Sequence, residues 1–177
     1  MNLPRLFAVV CLLLGIASAQ AANIPAHIQQ ELPDARLSGQ GTFRWYGLKI
    51  YDATLWVGKS GYQNNSAKFI LNLSYARELY GEKIAKASID EIRELGIGSG
   101  EQQQAWLGKM KALFPDVKEG SQISGVYLPG QAARFYLDGK LLGEINDAEF
   151  ARAFFAIWLD PRTSASGLRK QLLANQP

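Results

Sequence analysis

Alternating apolar and polar positions divide much of the chain into predicted β-strands. In the segment from Leu48 to Val57, for example, every second side chain points to the same face of a strand, and large apolar groups occur on both faces. Two strands are predicted within residues 36–57, separated by Gly47, and four more span residues 68–75, 122–128, 133–137 and 140–145. The Asp138-Gly139 pair between the last two is typical of a hairpin turn.

Apolar residues at helical spacing predict the remaining elements. The predicted helices span residues 25–32, 82–95, 101–113 and 150–159, followed by a last short helix that begins at Ser166. The helix over 150–159 has the broadest apolar stripe, which includes Trp158, and is predicted to be the central core helix. Strands in hairpins and helices in blocks predict an α+β fold, an antiparallel β-sheet with helices packed on one face.

Two segments match a helix capping box, in which a small polar residue precedes Glu by three positions. Ser88 to Glu91 predicts that the helix over 82–95 breaks and restarts at Ser88. Asn146 to Glu149 predicts the beginning of the helix over 150–159.

Residues 1–22 are predicted to be a secretory signal peptide, and residues 23–177 a single folded domain. Arg5 precedes an uncharged apolar run over 6–16, which is followed by small-x-small cleavage sites. That run is too short to span a bilayer, although an uncleaved anchor is the alternative. We therefore expect a periplasmic or secreted protein with no stable membrane insertion after cleavage.

The charge distribution and the few cysteine and histidine residues limit the partners and reactive groups that this protein can have. The 19 Lys and Arg against 16 Asp and Glu are scattered along the chain, which disfavours a nucleic-acid partner. Cleavage would remove the single cysteine, Cys11, and with it any thiol nucleophile or thiolate metal site. The single histidine, His27, is predicted to lie on the surface of a short N-terminal helix. No metal or other cofactor is predicted.

The segment from Gly47 to Val57 resembles the second-strand motif of the chalcone isomerase-like superfamily. Other family segments follow in order at residues 73–77, 89–92, 114–120, 127–130, 135–139 and 155–164. The resemblance covers essentially the whole mature chain and is strongest to the exported bacterial chalcone isomerase-like proteins. It implies a large antiparallel sheet packed by helices on one face, in agreement with the strand and helix pattern.

The resemblance also bears on activity. Plant chalcone isomerases close a flavanone ring with polar residues in a cleft between sheet and helices. The corresponding positions lie at or near Gln40-Gly41, Asp52, Trp106, Leu113 and Ala156, and none retains the plant residue. The resemblance therefore implies no flavanone ring closure, because a shared fold does not fix function.

The first functional hypothesis is a non-catalytic binder of a small amphipathic or carboxylate ligand. The superfamily includes fatty-acid-binding proteins in which an arginine and a tyrosine hold a carboxylate. The anchors this implies here are Arg44, Tyr75 and Arg77, because a guanidinium binds a carboxylate bidentately and a phenol adds a donor. Asp52 and Trp106 complete the candidate set. The alternative is that both arginines are surface residues or are ion-paired, for example with Asp52 or Glu78.

The second hypothesis is an isomerase or lyase with Asp52 as general base. A carboxylate in an apolar strand can have the raised pKa that such a role requires. The alternative is an Asp52 that is paired with Arg44 or solvated at the edge of the sheet. A mainly apolar cavity would favour binding, and Asp52 in a polar cleft beside a second titratable group would favour catalysis.

Overall fold

A computed structural model describes residues 24–64 and 66–175 of the chain. Six strands form one antiparallel sheet in which neighbours along the chain are neighbours in space. The strands are β1 (Arg36–Trp45), β2 (Leu48–Val57), β3 (Phe69–Tyr75), β4 (Gln122–Leu128), β5 (Ala132–Leu137) and β6 (Lys140–Ile145). The helices are α1 (Ala26–Glu31), α2 (Gly81–Glu94), α3 (Gly100–Leu113), α4 (Ala148–Leu159) and α5 (Ser166–Leu172). The predicted α+β class is confirmed. The predicted signal peptide lies outside the described residues.

Two tight turns fix the hairpins at the ends of the sheet. Tyr46 and Gly47 have φ angles of 46° and 80°, and Asp138 and Gly139 have 48° and 79°. Paired left-handed residues of this kind match the twist of the flanking strands. The hairpin predicted at Asp138-Gly139 therefore joins β5 to β6 as expected.

Helices α2 to α5 cover one face of the sheet and bury most of the core there. Helix α4 lies at the centre, as predicted, and Trp158 is 5% exposed. The fully buried ring of Phe155 lies edge-on to Phe69 and Tyr127, at centroid distances of 5.0 and 5.7 Å. Close aromatic packing therefore joins α4 to the middle of the sheet.

Helix α1 lies on the opposite face of the sheet, so the expectation of helices on one face holds for the other four. Its Ile28 and Leu32 pack with Trp56, Ile70 and Val126, which alternate with the residues beneath α4. His27 is consequently 9% exposed, and its predicted surface position is wrong. The helix packs back onto the sheet because its apolar residues find an apolar patch on that face.

The capping predictions need two corrections. Helix α2 continues through Ser88, whose hydroxyl donates to the Ile84 carbonyl at 2.9 Å instead of starting a new helix. Helix α4 is capped by Asp147 instead of Asn146, because the Asp147 carboxylate accepts hydrogen bonds from the backbone N–H groups of Glu149 and Phe150.

Within residues 24–64 and 66–175, no helix combines the length and apolarity needed to cross a bilayer.

Candidate functional site

A cavity of about 480 Å³ lies between the helix-covered face of the sheet and helices α2 and α4. This helix-side cavity is lined by Phe43, Tyr51, Leu73, Tyr75, Leu79, Ile84, Ser88, Phe114, Ile123, Phe154, Ile157 and Trp158, among others. Such a volume lies within the roughly 300–1,000 Å³ typical of sites for small organic molecules. Mostly apolar walls with a few polar groups are what an amphipathic ligand requires.

The space remains open because several residues that face it are small. Helix α2 contributes Ala87 and Ser88, and the turn before α5 contributes Ala165. A larger side chain at Ser88, which is 7% exposed, would extend into the cavity. This position therefore offers a way to fill the cavity by a single substitution.

Two tyrosines bring polar groups into the cavity wall. Tyr51 of β2 and Tyr75 of β3 are directly paired across the two strands, and their ring centroids are 5.9 Å apart. The Tyr51 hydroxyl accepts a hydrogen bond from the Trp158 indole N–H at 3.0 Å. Tyr75 is 4% exposed, and its hydroxyl has no hydrogen-bond partner among the residues the structure describes.

Both phenols stay protonated over the physiological range. Burial raises the pKa of Tyr75, and the neighbouring Tyr51 adds to the increase. Burial likewise raises the pKa of Tyr51, although the Trp158 hydrogen bond acts in the opposite direction. Tyr75 therefore presents an uncharged O–H donor that no described residue uses. No side-chain nitrogen or oxygen atom among the described residues is both fully buried and without a hydrogen-bond partner. The Tyr75 hydroxyl is therefore open to the cavity, where a ligand or a water molecule can accept its hydrogen bond.

Exposed residues mark the opening of the cavity. Trp45, Lys83, Ala87 and Ser164 line the cavity and are also exposed to solvent. In the described part of the chain, the Lys83 ammonium has no carboxylate oxygen within 4 Å. The Glu91 carboxylate accepts a hydrogen bond from the Ser164 hydroxyl at 2.7 Å. The charged side chains of the lining are thus one cation, Lys83, and two carboxylates, Asp90 and Glu91, of which Asp90 is paired with Lys86 and Arg93.

Of the predicted site residues, the structure places Tyr75 in the helix-side cavity and the other four outside its lining. Arg44 is exposed, and its guanidinium donates to the Gly47 carbonyl at 3.3 Å. Arg77 is half-buried just beyond β3 and has no carboxylate oxygen within 4 Å among residues 24–64 and 66–175. The predicted ion pairs of these arginines with Asp52 and Glu78 do not form.

Asp52 lies on the sheet face opposite the cavity. Its carboxylate accepts hydrogen bonds from Lys49 and Thr42, both at 2.6 Å, and its side chain is 47% exposed. The hydrogen bond from Lys49, followed by that from Thr42, lowers the pKa of Asp52. The raised pKa expected for a general base is therefore wrong, because the carboxylate is partly solvated and paired with a cation.

Trp106 borders a second, smaller space of about 330 Å³, the Trp106 cleft, lined also by Gln102, Glu149, Arg152 and Ala156. Its indole N–H donates to the Asp147 carboxylate at 3.0 Å, and its ring packs edge-on against Phe150. Two positions that the resemblance places in a catalytic cleft, Trp106 and Ala156, thus meet here. Asp52 does not join them.

The sequence patterns do not identify Tyr51, Trp158 and Lys83 as parts of the cavity. The signal for Tyr51 is its strand face, because it alternates with the apolar residues Ala53, Leu55 and Val57 and adds a phenol hydroxyl to them. Trp158 was assigned to the core, which is correct, and the structure adds that its indole N–H reaches the cavity wall.

A separate polar network lies under α1, on the opposite face of the sheet. The Ser124 hydroxyl donates to the Asn72 side-chain oxygen at 2.7 Å, so His27 Nε2–H donates to Ser124 at 2.8 Å. Nearby, Glu31 accepts hydrogen bonds from Arg134 and Tyr136, both at 2.6 Å. Burial lowers the pKa of His27. Burial alone would raise the pKa of Glu31, but hydrogen bonds from Tyr136, Arg134 and Lys68 lower it overall.

The described residues contain no cluster of three or more His, Cys, Asp or Glu side chains placed to hold a metal ion.

Comparisons with known proteins identify the family and the fold. A family model described as chalcone isomerase-like matches residues 17–174. An uncharacterized protein of Haemophilus influenzae is 31% identical over 135 residues, which is 76% of this chain and 66% of that protein. The chain thus spans just under two thirds of the length of this relative. The crystal structure of a fatty-acid binding protein of Arabidopsis thaliana matches with a TM-score of 0.63 at 14% identity, over 81% of this chain and 88% of that one. This last likeness shows a shared fold.

Proposed function

Because the chain belongs to the chalcone isomerase-like family and encloses an apolar cavity, we propose that it binds a small amphipathic ligand, a fatty acid or similar carboxylate, without converting it. The observation that carries this proposal is the Tyr75 hydroxyl, which is open to the helix-side cavity and has no hydrogen-bond partner among the described residues. The fold shared with a fatty-acid binding protein is consistent with this ligand class.

The apolar part of the ligand occupies the cavity, where its burial provides most of the binding free energy. Each buried methylene group contributes about 0.8 kcal/mol, which is roughly a fourfold gain in affinity. The polar group of the ligand accepts a hydrogen bond from Tyr75. Lys83 is the one cation among the lining residues and can pair with a carboxylate group of the ligand at the opening.

The proposal of binding without conversion rests on the placement of titratable groups. Asp52, the candidate general base, lies on the other face of the sheet with a lowered pKa. The phenols that line the cavity have raised pKa values and remain protonated. A general base needs a pKa near the working pH, and neither Asp52 nor the phenols meet that condition. Two carboxylates also line the cavity, but Asp90 is paired with Lys86 and Arg93, and Glu91 accepts a hydrogen bond from Ser164.

Titration of the purified protein with saturated fatty acids of increasing length tests the ligand class. We expect saturable one-to-one binding, with affinity that increases with chain length until the cavity is full. Ser88→Leu should weaken binding of the longest acids most, because the new side chain occupies the cavity. Ala105→Leu is the matched control, since Ala105 is exposed on α3 outside the cavity. Non-saturable binding, or equal effects of the two substitutions, would contradict the proposal.

Native mass spectrometry of protein purified from its own cells identifies the natural ligand. We expect a complex whose excess mass corresponds to one small amphipathic molecule. A smaller fraction of Ser88→Leu protein should carry this excess mass. An excess mass that persists unchanged in this variant would place the molecule outside the cavity.

Export is a second part of the proposal, motivated by the apolar run over 6–16 and the small-x-small sites that follow it. Cleavage then falls between Ala19 and Asn23, and the mature protein is periplasmic or secreted. N-terminal sequencing of the mature form tests this expectation. An intact Met1 would contradict it and favour a membrane anchor.

A further inference from the structure

The turn between β1 and β2 exposes large apolar side chains beside the cavity opening. Trp45 is 57% exposed, Tyr46 is 89% exposed and Leu48 is 53% exposed. These residues form the hairpin tip, residues 45–48. Elsewhere in the described chain, the exposed large apolar residues are Tyr80 and Leu141, far apart in sequence. The hairpin tip is therefore an exposed apolar patch whose side chains do not pack into the core.

The tip has the composition of a membrane-surface contact. Trp and Tyr prefer the boundary between lipid headgroups and acyl chains, and leucine inserts below it. Arg44 directly precedes the tip, is exposed and, within the described ranges, has no carboxylate oxygen within 4 Å. Lys83 at the cavity opening is likewise without such a partner, while Asp90 and Glu91 also line the cavity and Asp90 is paired with Lys86 and Arg93. Cations beside exposed apolar groups complement anionic headgroups.

The size of the tip favours a lipid surface over a protein. A stable protein–protein interface buries about 800 Å² on each partner, far more than four residues around a two-residue turn can supply. Shallow insertion into a bilayer needs only a few apolar side chains together with nearby cations. Trp45 belongs both to the tip and to the lining of the cavity. A bilayer that contacts the tip would thus lie against the cavity opening.

We propose that the hairpin tip docks on the surface of an anionic phospholipid bilayer and holds the cavity opening against the lipid. The contact is peripheral and involves no spanning segment. The evidence for docking is independent of the proposed ligand, whereas its purpose, exchange of an amphipathic molecule with the bilayer, rests on the proposed function.

Trp45 offers a direct probe, because the other three tryptophans, Trp56, Trp106 and Trp158, are 6%, 2% and 5% exposed. The protein purified after export, with its N-terminus sequenced, is mixed with vesicles of equal parts phosphatidylcholine and phosphatidylglycerol, with the phosphatidylcholine brominated on its acyl chains. We expect quenching of tryptophan emission that disappears in Trp45→Phe protein. The processed form is used because the apolar run over 6–16 would itself bind lipid and mask the contribution of the tip.

Vesicle affinity provides the second measurement. Tyr46→Ser combined with Leu48→Ser should weaken binding about ten- to a hundredfold, since each apolar side chain removed from the lipid reduces affinity substantially. Leu141→Ser, at a leucine of similar exposure away from the cavity lining, should leave it unchanged. Quenching that survives in Trp45→Phe protein, or equal losses in the two sets of variants, would overturn the proposal. So would tip variants that alter only a monomer–dimer equilibrium, which would assign the tip to self-association.

Fatty-acid titration without vesicles separates the two proposals. Tyr46 and Leu48 do not line the cavity, so their variants should bind fatty acid like the unmodified protein. Loss of vesicle binding with intact fatty-acid binding supports docking through the tip. If the unmodified protein binds vesicles through Trp45 but binds no fatty acid, docking stands and the proposed ligand is wrong.

Discussion

The two faces of the sheet differ in how completely their polar groups are hydrogen-bonded within the chain. Under α1, His27, Ser124 and Asn72 form a continuous chain of hydrogen bonds, and Glu31 is bonded to Arg134 and Tyr136. On the helix-covered face, the cavity wall contains a buried phenol, Tyr75, that has no partner among the described residues. Both regions lie on the same six strands.

The difference distinguishes polar groups that stabilise the fold from polar groups that are available to bind a ligand. A hydrogen-bonded network that is complete within the chain stabilises the position of α1 and needs no further molecule. The Tyr75 hydroxyl is not sealed off in the core but open to the cavity, so it is available to donate to a ligand there. Function is therefore sought in the helix-side cavity, and the α1 network is assigned to stability.

The largest expected effect tests the packed part of the helix-covered face. Phe155→Ala should lower the free energy of unfolding by about 3–5 kcal/mol, because the ring is fully buried against Phe69 and Tyr127. Urea denaturation measures the change. Tyr80→Ala, at a 60% exposed position, should change stability by less than about 0.5 kcal/mol. A loss below about 1 kcal/mol for Phe155→Ala would mean that the core beneath α4 is not tightly packed.

The next effect tests the network under α1. Ser124→Ala removes one hydroxyl and leaves His27 and Asn72 without their shared partner, which should cost about 1–3 kcal/mol of unfolding free energy. Ser166→Ala, at an exposed serine, is the control and should cost less than about 0.5 kcal/mol. Equal values for the two variants would show that the network does not stabilise the fold.

A smaller change in the free energy of unfolding is expected when the pH is lowered. The folded state lowers the pKa of His27 from 6.5, so the unfolded chain binds the proton first and stability falls as the pH drops below about 6.5. The folded state also lowers the pKa of Glu31 from 4.5, so its contribution is present above that value and is lost as the pH falls through the lowered pKa. Urea denaturation at a series of pH values should therefore show two regions of decline.

Variants assign the two regions of decline. His27→Gln should flatten the decline just below about pH 6.5. Glu31→Gln should reduce the decline below about pH 4.5 without removing it, because the folded state also lowers the pKa values of Asp52, Asp90, Asp147 and Asp160. An unchanged pH profile in His27→Gln protein would exclude this histidine as the cause of the first decline.

Local patterns were sufficient to predict most of the fold but not the choice of sheet face. Strict alternation along β3 and the Asp138-Gly139 turn each specify a local geometry, and both were predicted correctly. Both faces of β2, however, carry large apolar groups, with Trp56 on one face and Leu55 on the other. The pattern could not show which face the large helices cover. Asp52 was therefore considered for the site, while Tyr51 on the cavity face was not.

The position of α1 was beyond sequence analysis for a related reason. A helix of six residues is too short for its periodicity to identify a buried stripe. The patch that it covers is assembled from residues on three different strands, including Trp56, Ile70 and Val126. The burial of His27 depends on that long-range contact and not on its neighbours in the sequence.

Two matched tyrosine variants test the central claim, that the unpartnered phenol of the cavity binds a ligand. Tyr127 lies on the same face of the sheet as Tyr75 but outside the cavity lining, and its hydroxyl interacts with the backbone of Gly130. Tyr127→Phe should lower stability by about 1 kcal/mol and leave fatty-acid affinity unchanged. Tyr75→Phe should leave stability nearly unchanged, because no hydrogen bond within the described chain is lost.

The decisive measurement is calorimetric titration of a long-chain fatty acid into the unmodified protein and these two variants. We expect about a three- to tenfold weaker affinity for Tyr75→Phe alone, the value of one hydrogen bond to the polar group of the ligand. Equal affinities for all three proteins would contradict the assignment of Tyr75 as the ligand's hydrogen-bond donor. Absence of saturable binding to the unmodified protein would contradict the proposed function itself.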